Sequence, residues 1–323
     1  MLTLDEAQVA SLFTMQDAID TVERALHAQA ERRAIFPLRG VVANSDGLLA
    51  SMPGTIASDP AALGSKLVSV FAGNAQRGEH THQALIALFD PSTGRPAALM
   101  DGRLITELRT AAVSAVATRA LAAETARTLA IIGTGVQALA HARALALVAN
   151  LDDIRVWGHN RLRAETLVRQ LCAEGMQARA PDTSDEACRD AHIVCTVTSS
   201  PVPVVSSGSI APGTHVNAVG ACTPHAREIP PELMALASIF VDSIDGALHE
   251  AGDIVLAMRD GALPAAPRLT LLCDVVAGRT VGRTAPEEIT LFESLGIAIE
   301  DLACAALVYE RAVERGTGTT VDL

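Results

Sequence analysis

Residues 127–147 read RTLAIIGTGVQALAHARALAL: an apolar run, a glycine turn, then an Ala- and Leu-rich run without Gly or Pro. The spacing Gly133, Gly135, Ala138 is G-x-G-x-x-A, placed directly after a strand-like segment and opening a helix. In a dinucleotide-binding unit the first glycine permits the tight turn, and the second lets backbone approach a pyrophosphate. The alanine allows close helix–strand packing, and the phosphates sit on the helix N-terminus. Gly133, Thr134, Gly135, Val136 and Gln137 are therefore expected to hold a cofactor. An ordinary strand-turn-helix corner is the alternative, and the apolar strand and helix on either side weigh against it.

Working outward, the chain alternates strand-like and helical segments: TLAIIG, a helix, IRVWG, a helix, MQARA, then HIVCTVT, THVNAVG and SIFVDS. Such alternation predicts an α/β fold, with a doubly wound parallel sheet of Rossmann type. Ligands of such sheets lie at the carboxyl ends of strands, which adds Thr196, Val197, Thr198, Val219 and Gly220 to the expected cofactor contacts; for any one of them an ordinary strand-end turn is the bland alternative. An NAD site carries an acidic residue at the end of the second strand. Here Gly158-His159-Asn160-Arg161 follows IRVW, and Asp152 and Asp153 lie at the strand's other end. Arg161 and Arg163 suit a 2′-phosphate instead, with Asn160 a further expected cofactor contact, so NADPH is the expected cofactor and NADH the possible substitute; a solvated surface charge is the competing account of each arginine.

Upstream the pattern differs. Thr3 to Glu6 and Thr14 to Asp17 both match a capping box, predicting two helices in the first forty residues. From Val41 to Leu99 short apolar stretches, VVANSDGLLASMPG, LGSKLVSVFAG and HQALIALFDPSTGRP, are separated by turn residues, and predict an antiparallel sheet with a hairpin turn at Asp90 to Gly94. Residues 106–126 form a helix by propensity, with a domain border in or just after it. The last helix begins near Ile299. A second, α+β domain is thus expected beside the Rossmann one.

With 323 residues the chain suits two domains. A net charge of -12 and eight aromatic residues (six Phe, one Trp, one Tyr) leave neither basic face nor stacking platform for nucleic acid. No apolar run is long enough to cross a membrane and the first residues are not signal-like, so a soluble protein is expected. Six cysteines at scattered spacings, without C-x-x-C, suit a reducing, cytoplasmic compartment. His80 and His82 would share a strand face, but no third ligand stands at a sensible spacing, so no metal is expected.

Three cations stand among small or apolar neighbours: Arg39 in FPLRGVV, Lys66 in LGSKLVSV and Arg109 in ITELRTAAV. Each is either a snorkelling surface charge or part of a buried anion site. Together with LGSKLVSVFAGN, DGRLITELRTAAVSAVAT, IIGTGVQA, APGTHVNAVGACTP and TAPEEITLFESLG, they make the sequence resemble the ornithine cyclodeaminase / mu-crystallin family nearly end to end. The resemblance implies a substrate-binding and dimerisation domain from residues 1–117 and 303–323, around a Rossmann domain at 118–302. It implies a homodimer. It also assigns Arg39, Lys66 and Arg109 to substrate carboxylate and catalysis, with Met52 beside the substrate and Thr110 beside the cofactor.

The family performs several reactions, so the site must choose among them. Cyclodeaminases carry an Asp two residues after the glycine matching Gly220, where this chain has Cys222. A thiol does not anchor an ammonium as a carboxylate does, although Cys222 is equally read as a small buried hydrophobe. This favours a small anionic cyclic imino acid, 1-pyrroline-2-carboxylate or 1-piperideine-2-carboxylate, reduced to proline or pipecolate. Ornithine cyclodeamination, alanine dehydrogenation and non-catalytic NADPH binding of the mu-crystallin kind are the alternatives.

Overall fold

A computed structural model describes residues 1–59 and 61–322. The chain forms two compact units: Met1–Arg109 together with the segment from Gly296 onward, and Thr110–Leu295. The borders fall earlier than the expected 117 and 302. The helix Arg103–Leu121 runs through the first border, and an unbroken helix offers no composition change to mark it.

Among the described residues, the first unit is built on an eight-stranded sheet. Seven strands run in the order Thr319–Thr320, Leu2–Leu4, Pro96–Asp101, His82–Phe89, Ala62–Val70, Leu48–Ile56, Ala34–Ile35, and Gly40–Ala43 also pairs with Leu48–Ile56. The pairings are antiparallel except that Leu2–Leu4 lies parallel to Pro96–Asp101. The Asp90 turn forms as expected: its Oδ1 accepts the N–H groups of Ser92 and Thr93, each at 2.9 Å. Alternation along Ala62–Val70 buries Ala62, Gly64, Lys66 and Val68 on one face, as the period of two requires. The helix Ala298–Arg315 packs on these strands and on the helix Met15–Ala30.

The Thr3 start signal is not used as a helix cap. Thr3 belongs to the strand Leu2–Leu4 and its hydroxyl donates to Thr319 O at 3.0 Å. Helix Glu6–Leu12 is instead capped by Asp5, whose carboxylate accepts Gln8 N–H while the Gln8 side chain returns the bond. Thr14 and Asp17 do form the box that opens Met15–Ala30. Strand pairing took the threonine because it satisfies backbone at both edges of Leu2–Leu4.

In the second unit an all-parallel sheet runs Ala178–Arg179, Asp153–Trp157, Thr128–Ile132, Ile193–Thr196, His215–Ala218, Thr290–Glu293, Ser238–Val241, Leu269–Leu271. The order reverses at Thr128–Ile132: the next strand in the chain pairs on one side of it and Ile193–Thr196 on the other. That reversal opens the crevice where doubly wound sheets take ligands. Two strands were not legible in the sequence. Leu269–Leu271 is too short to show a pattern, and Thr290–Glu293 inserts out of chain order between neighbours at 215 and 238.

Within the first unit Arg311 ties the two long helices, its Nη atoms lying 2.7 Å from both Asp17 oxygens and 2.7 Å from Leu12 O. The Arg311 bond holds the Asp17 carboxyl well below its ordinary range, against a partial penalty from burial. Arg311→Ala is expected to cost about 2 kcal/mol in thermal or urea unfolding, typical of lost bonds to a charged partner. Because the folded pKa is depressed, that contribution is complete above the unfolded value of about 4 and is lost as pH falls through the folded one. The gap between wild type and variant should therefore narrow in acid; a gap that does not depend on pH would contradict this.

Candidate active site

The first unit gathers the three cations that stood out in the sequence. Lys66 is 1% exposed, and its Nζ lies 2.6 Å from Asp301 Oδ2. Arg109 places Nε 3.0 Å from Asp301 Oδ1 and Nη1 3.0 Å from Glu300 Oε2. Half-buried Arg39 donates from Nη2 to Gly296 O at 3.1 Å. Gly296 has φ of 75°, and a Cβ there would run into the Arg109 guanidinium; glycine lets the chain pass the cation. Met52 is the cross-strand partner of Lys66 and is buried.

Burial opposes the charges of Lys66, Arg109 and Asp301, and the three answer it differently. Desolvation and the Arg109 charge bring Lys66 down to about 8, with Asp301 only partly offsetting them. Arg109 rises despite its burial because Asp301 and Glu300 both attract it. Asp301 stays below its ordinary value against the same burial, since Arg109 and Lys66 favour its charge. The result is one lysine that exchanges its proton near neutrality beside a permanently charged guanidinium.

Glu300 and Asp301 are not among the site residues expected from the sequence. A signal was present. Asp301 stands in register with Ala298, Ala305, Val308 and Ala312, all buried, so a carboxylate occupies the apolar stripe. A charge on the core side of a helix demands a partner.

In the second unit Gly133 to Gln137, Val197 and Thr198, and Val219 and Gly220 follow the carboxyl ends of three neighbouring strands, Thr128–Ile132, Ile193–Thr196 and His215–Ala218. Gly133 has φ of 137°, and a Cβ on it would come within 2.6 Å of Val197 O. Val197 N–H donates to Ile132 O at 2.9 Å, and Val219 N–H to Thr196 O at 3.0 Å. Gly135 is the N-cap of the helix Val136–Ala146 and gives it no side-chain cap, while no atom stands within 4 Å of where its Cβ would be. Uncapped N–H groups beside an open glycine cradle fit a pyrophosphate. Ala138 is wholly buried against the sheet, and Gln137 Oε1 is buried without a partner.

Asn160 caps the helix Arg161–Ala173, accepting Arg163 N–H at 3.2 Å. Arg161 opens that helix with an exposed side chain, paired to Glu165 at 2.9 Å and to Asp182. Thr110 is the first residue of this unit, and its carbonyl accepts the Ser114 hydroxyl at 3.4 Å. Cys222 donates to Val219 O at 3.2 Å. His80 and His82 belong to the first unit, where His82 begins the strand His82–Phe89.

Fold and residues together define a two-unit dinucleotide-binding protein of the dehydrogenase type. The chain belongs to the ornithine cyclodeaminase/mu-crystallin family, whose sequence profile matches residues 1–316. It is 34% identical over 326 residues to a Delta(1)-pyrroline-2-carboxylate reductase of Bacillus cereus, covering 100% of both chains. The solved Delta(1)-pyrroline-2-carboxylate reductase of Thermococcus litoralis, in complex with NADH and L-proline, superposes with a TM-score of 0.96 at 37% identity, over 99% of this chain and 100% of that one. An archaeal alanine dehydrogenase dimer with bound NAD gives 0.95 at 32% identity, over 100% and 99%.

Asp301→Asn should leave Lys66 and Arg109 as imperfectly compensated buried cations, and a broken buried pair typically costs about 3–5 kcal/mol. Urea unfolding should report a loss of that size. A loss below about 1 kcal/mol would mean that the pair behaves like a surface one.

Proposed function

We propose that the protein is an NAD(P)H-dependent reductase of small cyclic imino acids, converting 1-pyrroline-2-carboxylate to proline, 1-piperideine-2-carboxylate to pipecolate, or both. The observation that carries this reading is the charge cluster. Arg39, Lys66 and Arg109 against Glu300 and Asp301 sum to one positive charge when all are ionised, which suits a substrate bearing one carboxylate. The similarity to two pyrroline-2-carboxylate reductases supports it. So does Cys222, which stands where a cyclodeaminase would carry the carboxylate for a second amino group.

Arg39 and Arg109 clamp the substrate carboxylate, and Met52 bounds the ring. Lys66 meets the carboxylate or delivers a proton to the ring nitrogen. The cofactor, when bound, would supply the hydride for reduction of the C=N bond. Gly133, Thr134, Gly135, Val136 and Gln137 would hold its pyrophosphate; Thr110, Thr196, Val197, Thr198, Val219 and Gly220 would hold its remaining parts. The chain's contribution is mainly to orient and dehydrate the reactants.

NADPH is the preferred cofactor and NADH an accepted one, because Asn160 and Arg161 stand where an NAD-specific enzyme places a carboxylate. The protein acts as a homodimer. Ile35, Leu38, Val41, Val42 and Leu49 of the first unit are exposed, and several exposed apolar side chains within residues 35–49 suit a subunit contact. Among the described residues no disulfide joins the cysteines, in keeping with a cytoplasmic enzyme.

Cofactor oxidation with each cyclic imine, set beside pyruvate with ammonia and beside ornithine, tests the reaction. The cyclic imines alone should be turned over rapidly; turnover that requires ammonia would make the protein an alanine dehydrogenase, and ammonia release from ornithine a cyclodeaminase. Lys66→Ala should lower turnover by about 100-fold or more while NADPH still binds. Lys66 acts in its protonated form, so kcat/KM should fall as pH rises through about 8, and a flat profile there would remove Lys66 from the proton transfer. Arg161→Ala should weaken NADPH much more than NADH; an equal loss for both would end the 2′-phosphate assignment.

A further inference from the structure

Behind the strand-end loops of the second unit lies a carboxylate that the reaction scheme leaves unused. Glu228 is fully buried. Its Oε1 accepts Thr198 N–H at 2.6 Å and its Oε2 accepts Gly220 N–H at 2.7 Å. One side chain thus joins the loop after Ile193–Thr196 to the loop after His215–Ala218. The fit is close: a Cβ on Gly220 would lie 2.5 Å from Glu228 Oε2.

Glu228 is itself held from behind. Asp253 Oδ1 accepts the N–H groups of Glu228 and Ile229, both at 2.8 Å, and Glu228 O accepts Val204 N–H at 2.9 Å. Asp253 is also fully buried. Burial pushes the Glu228 carboxyl up, against the pull of its bonds from Thr198 and Gly220. Burial, with Asp253, Glu228 and Asp242 close by, lifts Glu293 well above the carboxylate range, and burial likewise lifts Asp253 to about 8. A carboxylate kept in such surroundings is costly, and two convergent backbone N–H groups are what offset the cost. Packing alone would be served more cheaply by an apolar side chain.

We infer, on the reading above that these two loops receive the nicotinamide half of the cofactor, that Glu228 is a positioning residue. Its carboxylate locks the Thr198 and Gly220 backbones into one relative placement, so that the nicotinamide end is held in a fixed pose while the adenosine end is left to the glycine turn and Arg161. Glutamine at 228 keeps one acceptor oxygen and presents an NH2 to the other N–H, which releases one loop and preserves volume.

The test compares whole and half cofactor on the full-length protein. Dissociation constants of NADPH and of 2′,5′-ADP, which lacks the nicotinamide half, are measured for wild type and Glu228→Gln, with a melting curve for each. The expected result is an affinity for NADPH about tenfold weaker, the effect of one misdirected buried bond, with 2′,5′-ADP within about twofold of wild type. Equal weakening of both ligands would mean a general loss of structure and would overturn the inference, as would unchanged NADPH binding. Should the variant not fold, Glu228→Asp, which keeps the charge and shortens the reach, is judged by the same ratio. Failure of wild type to bind NADPH or NADH would overturn the functional reading and this inference together, whereas tight wild-type binding with an unaltered ratio in the variant would overturn the inference alone.

Discussion

Asp301 lies between two buried cations, and the first unit is organised around that bridge. Strand alternation turns Lys66 to the inner face of the sheet, where no water reaches it. Arg109 arrives from a helix and is buried as well. An isolated buried ion of this kind would give up its charge or expel itself. A carboxylate from the far end of the chain resolves this by touching both, Oδ2 to Lys66 and Oδ1 to Arg109. The C-terminal helix is therefore part of the unit that begins at residue 1, for electrostatic as well as apolar reasons.

The same bridge sets the chemistry available. A guanidinium flanked by Asp301 and Glu300 keeps its charge at any working pH, whereas the ammonium beside it is tuned by burial and by that guanidinium to exchange a proton near neutrality. Two cations of the same nominal charge are thereby driven apart, one lowered by burial and its neighbour's charge and the other raised by two carboxylates. This is the usual result when neighbouring groups are driven apart by their surroundings.

The second unit solves a different problem with backbone. Its open elements are N–H groups: those of the uncapped helix after Gly135, with the loops at 196–198 and 219–220 fixed by hydrogen bonds to one another and to Glu228. Glycine matters at only a few of these places. At Gly133 and Gly220 a methyl group would meet a neighbouring carbonyl or carboxylate, so close approach of loops leaves no other choice.

The chain by itself determined the two-domain plan, the parallel sheet after the glycine turn, and the three cations that stood among small or apolar neighbours, because each leaves a local trace: period, turn chemistry, or a charge out of place. It also carried the signature of its family across nearly its whole length. Tertiary structure decided what local pattern does not encode. It set the borders at 109 and 295, placed Thr290–Glu293 out of chain order, and replaced the Thr3 cap by Asp5 through strand pairing with the C-terminus. Above all it chose the partners. Asp301 is 235 residues from Lys66 along the chain, and Glu228 reaches loops that end two different strands. A carboxylate on a buried stripe announces that it needs a counterpart, but only folding brings a particular one within bonding distance.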